Sequence, residues 1–337
     1  MTQAAIHILD RLTAVNLNVA IWTARTKLTA EDFGQAELPP EELASLGSKK
    51  ICDPEKLRIF TALKARAVNL LEKTGMRFLG GWAIPEEKTE TVHDKFLLIR
   101  DEFQKAKAEF LANYDQAVKG WIDTHPGWER IISASTVSAE LVRKRLSFNW
   151  QFYKVVTPDG AAETTGGNLL TEVEALGDTL FGEISREART VWNKAYAGKT
   201  EITHKALSPL KSMQDKLSGL SFVEPRVAPL ADLIGTALSS IPKRGLISGP
   251  ALLTLQGLVS MLRDPAHLLE HSRTAIDRGS SSEILECLSR LSVKDYEADG
   301  LQPEGLSDIF DEDDSQSIDS TDEAEEETIT LDSLGLW

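Results

Sequence analysis

Residues 91–118, TVHDKFLLIRDEFQKAKAEFLANYDQAV, place Val92, Phe96, Ile99, Phe103, Ala106, Phe110 and Ala117 at alternating steps of four and three, with Asn113 taking one position of the series. That spacing puts one apolar stripe along a helix, the pattern of a coiled-coil seam about four heptads long. Asp101, Glu102, Lys105, Lys107 and Glu109 flank it and suit a solvated face. An amphipathic rod of this kind needs an apolar surface to cover it. The second long stripe is Val173, Leu176, Leu180, Ile184, Ala188 and Val191 within residues 169–195. The expectation is therefore an antiparallel coiled-coil hairpin inside one chain, with a homodimer as the alternative.

Working outward, residues 12–28 set Val15, Leu17, Val19 and Ile21 on alternate positions, with Asn16 and Asn18 between the first three, a period of two that predicts a strand. Residues 146–156 repeat the pattern with Phe148, Trp150 and Phe152 against Asn149, Gln151 and Tyr153, which predicts a second strand able to pair with the first. Asp53-Pro54 opens a helix whose apolar face is Leu57, Phe60, Leu63, Ala67 and Leu71, stopping at Gly75. Residues 76–84 read as an extended segment kinked at Gly80 and Gly81, and short helical patterns recur at 202–217, 228–238, 252–262 and 282–291. The fold class expected is mainly α with a small β-sheet (α+β). Four regions follow: 1–85 with the strand and short helices, 86–198 with the hairpin and the aromatic strand, 199–294 with short helices, and 295–337 as a disordered acidic tail.

Charge divides the chain at Lys294. The 43 residues after it hold 16 Asp and Glu and no Lys or Arg, whereas the residues up to it hold 37 basic and 36 acidic side chains. A like-charged block with little to bury is expected to stay disordered and to engage something basic. Its last residues nevertheless carry Leu331, Leu334, Leu336 and Trp337, an apolar tip suited to seating in a partner's pocket. The two cysteines, Cys52 and Cys287, are far apart and read as buried small hydrophobes of a reducing compartment. There is no apolar run of the roughly 18 residues that a membrane span needs, and the first residues lack an uninterrupted apolar signal core. A cytoplasmic protein without membrane contact is expected.

Three constellations could carry function. His267-Leu268-Leu269-Glu270-His271 matches H-x-x-E-H, in which two imidazoles one helical turn apart can chelate zinc. A third protein ligand would have to come from Glu283 or Glu286 or from the acidic tail, so His267 and His271 read instead as two surface histidines. Arg143-Lys144-Arg145 precedes Trp150, Tyr153 and Lys154, mixing cations with aromatic rings as single-strand binders do. Against that, alternating aromatics on a strand usually face a core. Finally, Trp22, Arg25 and Lys27 end the first strand and Ser48-Lys49-Lys50 precede Asp53, and either could form a basic lip around an anion or an acidic partner. No phosphate-binding glycine loop and no nucleophile elbow accompanies them, so no catalytic residue, no enzyme activity and no cofactor are expected.

Residues 16–22 (NLNVAIW) with Lys27-Leu28, residues 46–50 (LGSKK) with Asp53-Pro54, and residues 77–85 (RFLGGWAIP) resemble the bacterial family known as domain of unknown function DUF3150. The likeness runs over roughly the first 240 residues. Members of that family are often encoded on mobile elements beside a MoxR-like AAA+ ATPase and a von Willebrand factor A-type protein. The resemblance thus implies an ATPase-associated accessory protein and supplies no catalytic residues. A non-enzymatic adaptor is the resulting expectation. A single-stranded DNA-binding accessory and a zinc hydrolase are the alternatives.

Overall fold

The computed structural model describes residues 3–33, 39–40, 42–156 and 163–264. Helix α1 (Gln3–Arg11) runs directly into β1 (Leu12–Ala20), and β2 (Arg25–Lys27) and β3 (Ser48–Lys50) follow as a separate ribbon. Next come α2 (Arg58–Thr74), β4 (Met76–Phe78), β5 (Gly81–Pro85), α3 (Thr89–Ala112), α4 (Tyr114–Asp123), α5 (Glu129–Ala134) and α6 (Ala139–Arg145). Strand β6 (Ser147–Tyr153) returns to the sheet before α7 (Glu163–Glu174), α8 (Leu176–Val191), β7 (Glu201–Ile202), α9 (Ser208–Gly219), α10 (Val227–Ser239), β8 (Ile247–Ser248) and α11 (Gly249–Leu262). The protein is mainly α with one four-stranded sheet in the order β4-β5-β1-β6, and the sheet is antiparallel throughout. Among the described residues no helix is long and apolar enough to cross a membrane.

The two strands expected from alternation pair with each other. Val15 lies opposite Phe152, Leu17 opposite Trp150 and Val19 opposite Phe148. Because successive side chains point to opposite faces, this register sends the alternating apolar set to one face and sends Asn16, Asn18, Asn149 and Gln151 to the other, where they are exposed. The segment 76–84 is a hairpin rather than a kinked run. Leu79 and Gly80 both have positive φ, 47° and 74°, the two left-handed residues of a tight hairpin turn. At Gly81 a Cβ would meet the Val15 carbonyl oxygen at 2.5 Å, so only glycine lets β5 approach β1 there.

Helix α2 forms as its sequence dictates. The Asp53 carboxylate accepts from the Glu55 N–H at 3.0 Å and caps a 3-10 turn begun by Pro54, which continues into α2. Gly75 ends the helix with its N–H on the Leu71 carbonyl at 2.8 Å. Leu57, Phe60, Leu63, Ala67 and Leu71 are all buried, the face expected from spacing.

The sheet separates two cores. One face carries Val15, Trp82, Ile84 and Phe148 into a core shared with α2, α3, α4 and α6. The opposite face carries Leu12, Met76, Phe78 and Ala83 into a core built with α1 and the helices from α7 onward. This overturns the expected hairpin. The α3 stripe is buried at Val92, Phe96, Ile99, Phe103 and Phe110, but in the first core, against α2 and β6; Ala106 and Ala117 are only half-buried, Asn113 is exposed, and in α4 Tyr114 and Val118 take the buried face instead. The α8 stripe lies in the second core, against α11 and β4. Nor is either stripe one continuous rod, since Asn113 separates α3 from α4 and Ala175 separates α7 from α8. Two amphipathic helices of matching length need not meet when a sheet offers each its own apolar face.

Tyr114, at the start of α4, is 1% exposed and stacks edge-on against Trp22, with centroids 5.7 Å apart. Its hydroxyl donates to the Val137 carbonyl at 2.7 Å. Burial pushes its pKa from the ordinary 10.0 up to about 12. Since the folded value lies above the unfolded one, this contribution to stability is whole below pH 10 and is lost as pH rises toward 12. Urea midpoints measured across that alkaline range should fall for the native chain and fall less for Tyr114→Phe; identical slopes would show that Tyr114 does not carry the loss.

Candidate docking ribbon

Ribbon β2–β3 brings together the two basic segments that the sequence leaves 20 residues apart. Its base is anchored in the first core. Trp22, Ala24, Ile51 and Cys52 are buried, Ile51 N–H donates to the Ala24 carbonyl at 2.9 Å, and the Trp22 ring lies 6.2 Å from that of Phe110. The indole N–H of Trp121 on α4 donates to the Lys50 carbonyl at 3.1 Å and holds the ribbon from the side. Ala24 has φ 56°, in the left-handed region that an alanine seldom adopts. The strain is local to the point where β1 turns into the ribbon.

Register decides the ribbon's electrostatics. Arg25 pairs with Lys50, Thr26 with Lys49 and Lys27 with Ser48. Thr26 and Lys49 face inward and are half-buried. Lys49 is neutralised by Asp32 of the 3-10 turn Ala30–Phe33, and the same carboxylate accepts the Thr29 N–H at 2.8 Å. The hydrogen bond from Lys49, with that from Thr29, holds the Asp32 carboxyl below its ordinary range. The outer face is different. Arg25, Lys27 and Lys50 are exposed, and none of the three side chains has an ion-pair partner among the described residues. Arg25 and Lys50 are therefore like charges directly across a strand pair, an arrangement that works against folding.

Beside the ribbon runs a groove of about 750 Å³, walled by Lys56 and Ile59 on one side and by Phe110, Ala117 and Trp121 on the other. Ile59 is 48% exposed. The groove is mixed, with Asp53 and Glu109 also in its wall, and it meets the ribbon through Trp121, whose indole holds the Lys50 carbonyl. Three unneutralised cations near its partly apolar floor suit an acidic segment that carries a bulky apolar residue.

The six residues considered for nucleic-acid contact do not share one surface. Arg143, Lys144 and Arg145 form the last turn of α6, exposed, with Arg143 3.5 Å from Glu140. They directly precede β6, whose first residue Ser147 pairs with Ala20 at the end of β1, so they leave the same end of the sheet as the ribbon. Trp150 instead faces α3, its ring 5.4 Å from that of Phe96 and its indole N–H 3.4 Å from His93 Nδ1. Tyr153 points to the other face of the sheet. Lys154 is held at the far end of β6 by the Asp10 carbonyl at 2.6 Å and by Glu86 at 3.0 Å. His267, Glu270, His271, Cys287, Leu331, Leu334, Leu336 and Trp337 lie outside the described residues. Among the described residues no group of His, Cys, Asp or Glu is placed to hold a metal ion.

A family model described as protein of unknown function (DUF3150) matches residues 9–264, a span that contains the ribbon, the sheet and both cores apart from Ala5 and Ile8 of α1. No curated protein and no solved structure matches the chain.

Proposed function

We propose, from the premise that this chain belongs to the DUF3150 family of proteins of unknown function, that it is a non-enzymatic adaptor which docks an acidic protein segment on the β2–β3 ribbon. The partner is the MoxR-like AAA+ ATPase of a bacterial mobile element that the family resemblance implies, with the protein working in the cytoplasm. The observation that carries the reading is the unneutralised trio Arg25, Lys27 and Lys50 on the outer face of the ribbon, near the groove that Trp121 joins to it. A fold that tolerates Arg25 opposite Lys50 gives up stability there, and a docked carboxylate offsets the loss.

This predicts effects of opposite sign. Arg25→Glu converts a repulsive cross-strand pair into an attractive one, and the fold should gain about 0.2–1 kcal/mol in urea unfolding. The same substitution should weaken capture of the ATPase from the native host by about tenfold or more, since truncating a charge in a docked pair costs ~2 kcal/mol or above. Unchanged capture by Arg25→Glu with Lys50→Glu would end the reading. The 16 acidic residues after Lys294 have the same chemistry as the proposed partner segment. A chain ending at Lys294 measures whether they compete for the ribbon, in which case capture rises, or whether the tip from Leu331 to Trp337 recruits, in which case it falls.

A second reading, single-stranded DNA binding, is favoured by one observation: Arg143, Lys144 and Arg145 are exposed at the ribbon's end of the sheet. If these cations follow a phosphate backbone, a labelled single strand should bind in a strongly salt-dependent way, and Lys144→Glu with Arg145→Glu should abolish the shift. No shift at low salt would dispose of this alternative.

A further inference from the structure

A cavity of about 380 Å³ opens between the last turns of α2, the start of β4, α8 and α9, away from the ribbon. Lys216 of α9 lines it and is only 4% exposed. Its ammonium donates to the Glu72 backbone carbonyl at 2.7 Å and to Glu183 Oε2 at 2.7 Å. An ammonium has three N–H donors, and the third finds no acceptor among the described residues. Glu183 is also engaged at its other oxygen, which accepts the Arg77 N–H at 3.0 Å.

One helical turn further along α8, Glu187 lines the same cavity and has no hydrogen-bond or ion-pair partner among the described residues. Burial pushes its carboxyl above the ordinary range, with Lys216 and Lys73 acting against that shift. Lys73 and Arg186 also line the cavity, and their charged ends are unpaired among the described residues. The walls thus present the Glu187 carboxylate, which makes no hydrogen bond among the described residues, and one ammonium N–H of Lys216 without an acceptor, with the exposed cations Lys73 and Arg186 close by and the Arg77–Glu72 pair on the same wall. A simple anion would meet the Glu187 charge, and a simple cation would meet the four positive groups Lys73, Arg77, Arg186 and Lys216. A molecule joining a carboxylate to a neighbouring ammonium satisfies both sets at once, with the buried Lys216 ammonium and the half-buried Glu187 carboxylate as the groups that gain most from it.

We infer that this cavity binds a free α-amino acid, its ammonium on Glu187 and its carboxylate against Lys216, Lys73 and Arg186. The volume left over accommodates a side chain toward Asn69 and Thr190. This site stands apart from the docking ribbon and does not rest on the adaptor reading.

The test uses the full chain and saturation-transfer NMR with a panel of free α-amino acids, with acetate and methylamine as half-ligands. At least one amino acid should bind, about tenfold or more tighter than either half-ligand, because each half leaves one set of wall groups unpaired. Glu187→Gln and Arg186→Gln should each weaken that binding about tenfold, while both variants melt at or above the temperature of the native chain, since neither residue is paired within the fold. Three outcomes overturn the inference: no amino acid in the panel binds, acetate binds as tightly as the best amino acid, or Glu187→Gln leaves affinity unchanged. The first means that the cavity holds only water.

Discussion

Phe103→Ala should destabilise the protein by about 3–5 kcal/mol, the range for removing a buried phenyl ring and leaving a cavity. Phe103 is fully buried where three elements meet: its ring lies 4.9 Å from that of Phe60 on α2 and 5.8 Å from that of Phe148 on β6, the first pair edge-on. Such edge-on pairs contribute beyond area alone, by about 0.5–1.5 kcal/mol. Against the ~5–15 kcal/mol that a domain has in total, the loss takes much of the fold's margin. Leu98 on the same helix is 63% exposed, and Leu98→Ala should stay within about 0.5 kcal/mol. Urea midpoints of the two variants check the contrast. Equal effects would mean that α3 does not bury this stripe.

The same experiment extends to the question of which helix covers which. Phe103 and Phe60 touch, so their double substitution should be non-additive, with a coupling of about 0.5–3 kcal/mol. Phe103 and Ile184 sit in different cores on opposite sides of the sheet, and their effects should add.

Spacing identifies a buried face and says nothing about what covers it. Most stripe residues of α3 and α8 are legible because a helix repeats every 3.6 residues, and they are buried up to Phe110; past Asn113 the break between helices moves the buried face to Tyr114 and Val118. Their partners were not legible, because pairing depends on where β1 sits. Strand β1 shows alternation only from Val15 onward, while Leu12, Thr13, Ala14 and Val15 are buried in succession. That run, covered on both faces, is the trace of a sheet packed on two sides. It was short enough to pass as the start of an ordinary strand.

The candidate sites divide in the same way. Arg25, Lys27 and Lys50 could be singled out as basic residues near turns, yet strands of three residues are too short to show a period, so only the register reveals that Arg25 faces Lys50. Nearness in sequence brings Trp150, Tyr153 and Lys154 together, and a strand undoes that by sending neighbours to opposite faces. Lys216 left a readable trace that proximity rules miss. It stands beside Leu217 in the apolar stripe Leu210, Met213, Leu217 and Leu220, all fully buried, where a lysine must find buried acceptors.

That placement sets up the second large effect. Lys216→Ala removes the ammonium that bridges the Glu72 carbonyl and Glu183 Oε2, and leaves a carboxylate in a wall where its side chain is 16% exposed. Breaking a buried pair from one side costs about 3–5 kcal/mol. The lower end applies, because Glu183 keeps the Arg77 N–H and borders a cavity that water can enter. Lys216→Met combined with Glu183→Gln should recover most of the loss: the amide oxygen can still accept from Arg77, the methionine fills the lysine's apolar path, and no uncompensated charge remains. Thermal or urea unfolding of Lys216→Met, Glu183→Gln and the double variant decides the matter. A double variant as unstable as the sum of the singles would mean that the two side chains are not coupled and that Lys216 is held by the Glu72 carbonyl alone.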